Sequence, residues 1–223
     1  MWCIANLDDA YIANMEDVLA LYEKPYSEAE PVICLDEKPV SLHSEVRQPV
    51  SARPGRIAKR DNEYRREGVA NLFAVVEPKA GRHFNRATSD RSAPQFACTV
   101  RDLVLEYPFA RTIHLVMDNL NTHRRKSLIQ HLGEKEGSYI WNRLSVHYTP
   151  KHGSWLNQAE IELSLISRQC LGKRRIPSLA DLRDALGPWT EAANSRRLQI
   201  NWKFSRRQAR SKFGYIRNTS KRS

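Results

Sequence analysis

The sequence predicts an α/β fold, a mixed sheet with helices on both faces. Short apolar runs of strand length recur along the chain, and stretches of helical periodicity stand between them. Their order is several strands, a helix, a strand, a helix, a strand and then helices, the pattern of a layered α/β domain. At 223 residues, 41% hydrophobic and 27% charged, the chain has an ordinary globular composition. It is long enough for one sizeable core, or for one domain and an appendage.

The elements follow in order. Leu7, Tyr11, Met15, Val18, Leu19 and Tyr22 space a helix over 7–23, and Pro25 stops it. PVICLD, 31–36, is a short apolar run that ends in a carboxylate and reads as a buried strand. A charged, arginine-rich loop with Pro54 and Gly55 is expected over 51–67. VANLFAVV, 69–76, is a second buried strand, with 81–88 as its hairpin partner. Phe96, Val100, Leu103 and Val104 mark a helix over 92–106. TIHLVM, 112–117, is another buried strand running into a carboxylate, Asp118, and a helix is expected over 123–132. The last strand is 144–148, followed by a loop at 150–153. Ser154 opens a helix to about 171, with Leu156, Ala159, Leu163, Ile166 and Cys170 as its apolar stripe, and a final helix spans 178–193.

Several classes are excluded. No run reaches the roughly 18 apolar residues that span a bilayer, so no membrane partner is expected. The N-terminus carries acids early and has no basic stretch before its apolar residues, unlike a secretory signal. Cys3, Cys34, Cys98 and Cys170 form no CxxC pair and have no histidine at zinc-finger spacing. They read as isolated buried thiols in a reducing cytoplasm.

The charge is uneven. The net charge is +11 and the pI about 9.7. Of the 36 lysines and arginines, ten lie in 195–223, a stretch without acids; the first 194 residues keep 26 basic residues against 25 acidic ones. Such a segment suits a polyanion, because its cations can replace counterions on phosphates. Arg206, Arg207 and Arg210 are the candidate phosphate contacts. Trp202, Phe204, Phe213 and Tyr215 interleave with the charges and point to a docked or base-stacking segment rather than a plain solubilising tail.

Three acids stand out by position. Asp36 and Asp118 follow neighbouring core strands, whose carboxyl ends converge on one crevice in an open α/β sheet. Glu160 lies in the first turns of the helix after the last strand. Carboxylates that meet in a crevice repel one another unless a cation intervenes, and hard oxygen ligands suit Mg2+, with Mn2+ as substitute. Two such ions about 4 Å apart serve phosphodiester chemistry at both the attacking and the leaving oxygen. Glu162 competes with Glu160 but points some 200° away around the helix. Glu37, beside Asp36, faces the opposite side of an extended strand.

LDEKP (35–39), VMDNLNTH (116–123) and HYTPKHGSWLNQAEIELS (147–164) together resemble the three catalytic blocks of bacterial insertion-sequence transposases of the mariner superfamily, in the family numbered six-thirty. The resemblance covers nearly the whole chain. It implies a ribonuclease H-like, retroviral-integrase-type fold and a DDE metal triad that falls on Asp36, Asp118 and Glu160, the LNxxE pattern placing the last on Glu160. It also implies DNA as partner, both element ends and target, a homodimer or higher assembly on DNA, and a bacterial cytoplasmic, nucleoid-associated location. Around the triad, Asn119, Asn121 and His123 are candidates to orient Asp118 or touch the DNA backbone, and Lys151, His152 and Trp155 to hold DNA. Asn157 is a candidate brace for the Glu160 helix. Loop structure and capping are the competing roles for each, and core packing is the competing role for Trp155.

On this basis the organisation is a helical lead-in over 1–30, a DDE catalytic domain over 31–194 and a basic segment over 195–223. The sequence begins near the start of the catalytic domain, so the family's helix-turn-helix end-recognition region is expected to be missing and a separate end-binding protein to supply it. The competing functions are a catalytically silent, DNA-binding transposase remnant and another ribonuclease H-like nuclease.

Overall fold

The most apolar stretches of the chain meet in the middle of one mixed sheet. The computed structural model describes residues 7–215; Cys3, Arg217, Lys221 and Arg222 lie outside them. The strands are β1 (Val32–Glu45), β2 (Tyr64–Glu77), β3 (Arg82–His83), β4 (Arg86–Thr88), β5 (Ile113–Met117) and β6 (Leu144–Tyr148). The order across the sheet is β3-β2-β1-β5-β6, with β4 also on β2. β1 runs antiparallel to β2 and parallel to β5, which is parallel to β6.

The period of two along each strand sorts the core. Ile33, Leu35, Phe73, Val75, Ile113, Leu115 and Met117 face one side. There they pack on α2 (Ala93–Leu105), α3 (Arg125–Leu132) and α4 (Glu134–Asn142) through Phe96, Val100, Leu128 and Ile140. Cys34, Val76 and Val116 face the other side, against Met15, Val18, Leu19 and Tyr22 of α1 (Asp9–Glu23). Leu72 and Ala74 continue that face and meet Leu163, Ile166 and Leu182 of α5 (Ala159–Leu165), its π-helical continuation Ile166–Leu171, and α6 (Leu179–Ser195).

The structure alters four expectations. β1 and β2 run on together as a two-stranded arm well past the apolar runs, so Asp36 lies within β1 and part of the expected 51–67 loop is strand. The partner at 81–88 splits in two, because the Asn85 side chain takes the place of a ladder acceptor for Val75 N (3.3 Å). The helix expected from Ser154 begins as a 3-10 turn (Ser154–Leu156), and α5 starts only at Ala159. α4 was not foreseen. Its Gly137 lowers helix propensity, but a Cβ there would lie 2.7 Å from the Ile129 backbone, so glycine lets α4 press on α3.

The basic C-terminal segment docks on α1. Ser205 caps α7 (Arg206–Phe213) in a capping box with Gln208. Trp202 meets Tyr22 edge-on at 5.5 Å, and Phe204 and Phe213 surround Trp155. Arg206 binds Glu23 through Nε (2.8 Å), and Arg210 clasps Glu16, a buried residue of α1, through Nε and Nη2 (2.8 and 2.6 Å). Tyr215 donates to the same carboxylate at 2.8 Å. Two of the three arginines expected on phosphates are thus turned to carboxylates of the chain itself; Arg207 stays exposed. Trp155 is a packing residue. No helix among the described residues is long and apolar enough to cross a membrane.

Replacing Trp202 by Ala removes the ring against Tyr22, and the structure predicts a stability loss of about 2 kcal/mol or more in chemical denaturation. An unchanged midpoint and slope would show that the segment is not part of the core.

Candidate active site

The crevice opens where β1 and β5 part. Their pairing ends at Cys34 and Val116, two residues before Asp36 and Asp118. Both acids share the strand parity of their neighbours Cys34 and Val116, on the α1 and α5 face of the sheet. Asp36 Oδ1 accepts from Glu37 N at 2.8 Å. Asp118, just past β5, closes a turn by accepting from Leu120 N at 3.3 Å.

The third acid arrives by a brace. Buried Asn157 donates through Nδ2 to the Leu35 carbonyl at 2.7 Å and accepts from Ala159 N, the first residue of α5, at 3.1 Å. Tyr22 donates to the Leu156 carbonyl at 2.9 Å. The start of α5 is therefore tied to the peptide unit immediately before Asp36, which realises the bracing role expected of Asn157. Glu160 is exposed in the first turn of α5, whereas Glu162 is wholly buried. Glu162 Oε1 lies 2.9 Å from His83 Nδ1 and accepts from Asn85 Nδ2 at 2.7 Å, while His83 Nε2 donates to the Leu198 carbonyl at 3.0 Å. Glu162 thus ties α5 to β3 and to the chain after α6.

Electrostatics links the acids. Burial, then the nearby Glu160, Glu37 and Asp118 charges, push the Asp36 carboxyl up to about 7, against a hydrogen bond from Glu37 N that lowers it. A crevice in which a carboxylate resists ionisation, first because it is buried and then because other acids lie near, offers oxygen donors of the kind a hard cation takes. Among the described residues, no three His, Cys, Asp or Glu side chains close into a cage that could hold a metal ion alone.

A groove of about 840 Å³ leads away from Asp118 between α1 and the 149–154 loop, lined by Asn119, Lys151 and His152 among others. All three are exposed, and His152 holds a left-handed backbone (φ 62°) at the turn. Asn121 is exposed and accepts from Arg124 at 3.3 Å. Of the two roles expected of His123, the DNA contact is excluded by its burial, its side chain being 1% exposed, while its place under Asp118, with Nδ1 2.7 Å from Oδ1, is that of the orienting role. The acids beside it hold its imidazole up at about 9, against the opposing effect of burial, which is the largest. Glu37 sits on the far side of that ring, Oε2 3.4 Å from Nε2. This partnership was not anticipated from the sequence. The alternating parity that removed Glu37 from the crevice was the available signal, since it put a carboxylate into the core with no partner named. A second cavity of about 950 Å³ lies at the other end of the sheet, against Glu77 and Tyr107, away from the three acids.

Two outcomes follow. Glu162→Gln should lower stability by roughly 1–3 kcal/mol, because His83 and Asn85 lose a buried charged acceptor, whereas exposed Glu160→Gln should leave the melting temperature nearly unchanged. The reverse ranking in thermal melts would contradict the assignment of the two faces of α5. Raised above its ordinary value of 3.8, Asp36 holds its proton longer in the folded chain than in the unfolded one. Its contribution to stability should therefore fall as pH rises from about 4 to about 7 in chelator, and Asp36→Asn should abolish that slope in urea titrations.

The family described as DDE superfamily endonuclease matches residues 31–183. No curated protein sequence matches the chain. Among solved structures, the Mos1 mariner paired-end complex with Mn is similar at 14% identity and a TM-score of 0.59, over 88% of this chain and 61% of that one. The Mos1 strand transfer complex is similar at 16% identity and a TM-score of 0.57, over 86% and 57%. The chain thus spans about three fifths of the length of these proteins, and the likeness establishes a ribonuclease H-like fold. By the match over 31–183, the chain belongs to the DDE superfamily endonuclease family.

Proposed function

We propose that this chain is the catalytic domain of a DNA transposase, within the bacterial insertion-sequence family numbered six-thirty, which cleaves DNA strands and joins them to a target. The observation that carries the reading is the placement of Asp36 and Asp118 two residues past the point where β1 and β5 separate, with the start of the Glu160 helix tied to Leu35. The three motif blocks and the family match support it. In this reading residues 31–194 form the catalytic body, α1 and the C-terminal segment brace it, and the protein works in a bacterial cytoplasm on nucleoid DNA.

Asp36, Asp118 and Glu160 would hold two Mg2+ ions, with Mn2+ as substitute; the related Mos1 complexes contain Mn or Mg. Such ions supply charge stabilisation at the attacking and leaving oxygens of a phosphodiester. The chain's own contribution is placement. Asn157 fixes the distance between the Glu160 helix and β1, the Asp118 turn fixes the second acid, and the groove beside Asp118 offers Asn119, Lys151 and His152 to the DNA backbone. Positioning and charge stabilisation suffice for in-line transfer without a covalent enzyme intermediate. The related paired-end complexes support a homodimer or higher assembly on two element ends, and a separate end-binding protein would complete recognition.

Asp118→Asn should abolish Mg2+-dependent nicking of plasmid DNA, by at least a hundredfold, while the protein keeps its melting temperature. Glu160→Gln should do the same and Glu162→Gln far less at temperatures where it stays folded. Unimpaired nicking by folded Asp118→Asn would refute the triad. Lys151→Ala should weaken binding to all DNA sequences alike and flatten the slope of log affinity against log salt by about 0.9; an unchanged slope would remove Lys151 from the phosphate contacts.

A further inference from the structure

We propose that Glu37 and His123 form a buried positioning pair that decides which oxygen of Asp118 faces the crevice. The inference rests on the reading of Asp118 as a cation ligand and adds two residues to it, neither of which touches the ion or the DNA.

Glu37 poses the problem. It belongs to the α2 face of the sheet, its side chain is 2% exposed, and neither of its oxygens has a hydrogen-bond partner among the described residues. Burying a carboxylate in this way is costly unless something opposes its charge. What stands opposite is His123 Nε2, 3.4 Å from Oε2.

His123 is held on every side. Its ring stacks on Phe96 with centroids 4.5 Å apart and planes 27° from parallel. Its backbone N donates to the Leu120 carbonyl at 3.0 Å, and its own carbonyl accepts from Tyr148 Oη at 2.8 Å. Nδ1 faces two acceptors, the Asp118 carbonyl at 3.2 Å and Oδ1 at 2.7 Å, so this nitrogen carries a hydrogen. Leu120 N also points at Oδ1, at 3.3 Å. Oδ1 is thus engaged twice from the protein side, which leaves Oδ2 to the crevice.

The pair also joins the first two acids. Glu37 adjoins Asp36 in β1, and His123 holds Asp118 after β5, at the point where backbone pairing between these strands has ended. The Glu37–His123 contact continues that connection through side chains on the face away from the DNA groove. A metal ligand oriented by a hydrogen bond from behind loses affinity when the bond is removed, typically ten- to hundredfold.

The test is Mn2+ titration of the full chain, read from the electron paramagnetic resonance signal of free Mn2+, with melting curves for each variant. Asp118→Asn should lose binding of an ion. His123→Ala and Glu37→Leu should each weaken Mn2+ binding about ten- to hundredfold below their melting temperatures. Glu37→Gln, which keeps a polar group of the same shape facing Nε2, should keep most of the affinity. A purely structural pair would lower the melting temperature in all three and leave the affinity of the folded protein unchanged. Wild-type affinity in folded Glu37→Leu or His123→Ala, alongside loss of binding in Asp118→Asn, overturns the positioning role alone. Binding that survives Asp118→Asn overturns the cation reading and this inference with it.

Discussion

Asp36 sits where burial and neighbouring carboxylates make its charge costly, and much of the surrounding architecture serves to hold it there. An isolated acid so placed would withdraw toward solvent or stay protonated. Here β1 is clamped between β2 and β5 up to Cys34, and Asn157 fastens the carbonyl of Leu35. The acid has no freedom to relax. Backbone pairing and the Asn157 amide hold its main chain in that place.

Both sheet faces contribute, by different means. On the α1 side Asp36 and Asp118 are half-buried at the crevice, and α5 carries the exposed Glu160. On the α2 side a buried carboxylate, an imidazole and a phenyl ring are layered behind Asp118. The alternation of side chains along β1 produces this division directly, with Asp36 going one way and Glu37 the other. A one-residue slip of β1 would exchange the two and destroy both arrangements.

The sequence was most legible where apolar residues run without interruption. β6 was located to the residue, and β5 and α2 to within one at each end, because their cores are continuous and their ends carry polar stops. The arm of β1 and β2 is less legible, since residues 64–69 of β2 are exposed, half of them charged, and Leu42 is the one buried side chain in the outer part of β1. The break before α5 was hidden because Asn157 bonds to Leu35, 122 residues away, and nothing local announces that. Motif spacing and helical phase separate Glu160 from Glu162 in the sequence, and in the structure Glu160 is exposed and Glu162 buried. The excess charge at the C-terminus pointed outward to phosphate, but Glu16 and Glu23, remote in the chain, claim Arg210 and Arg206.

That last interlock bears on how the molecule comes into being. Arg206 meets Glu23 across 183 residues, Arg210 meets Glu16 across 194, and Tyr215 reaches Glu16 across 199. During synthesis α1 emerges before the sheet and its partner α7 after it, so α1 has the sheet but not its outer cover until α7 has been made. Contacts of such long range are slow to close, and the apolar face shared by Tyr22, Trp155 and Trp202 stays open to wrong partners meanwhile. The α2 side, built from residues closer in sequence, can consolidate beforehand. Ribosome-bound fragments ending before residue 200 would therefore carry the sheet with one face unsealed.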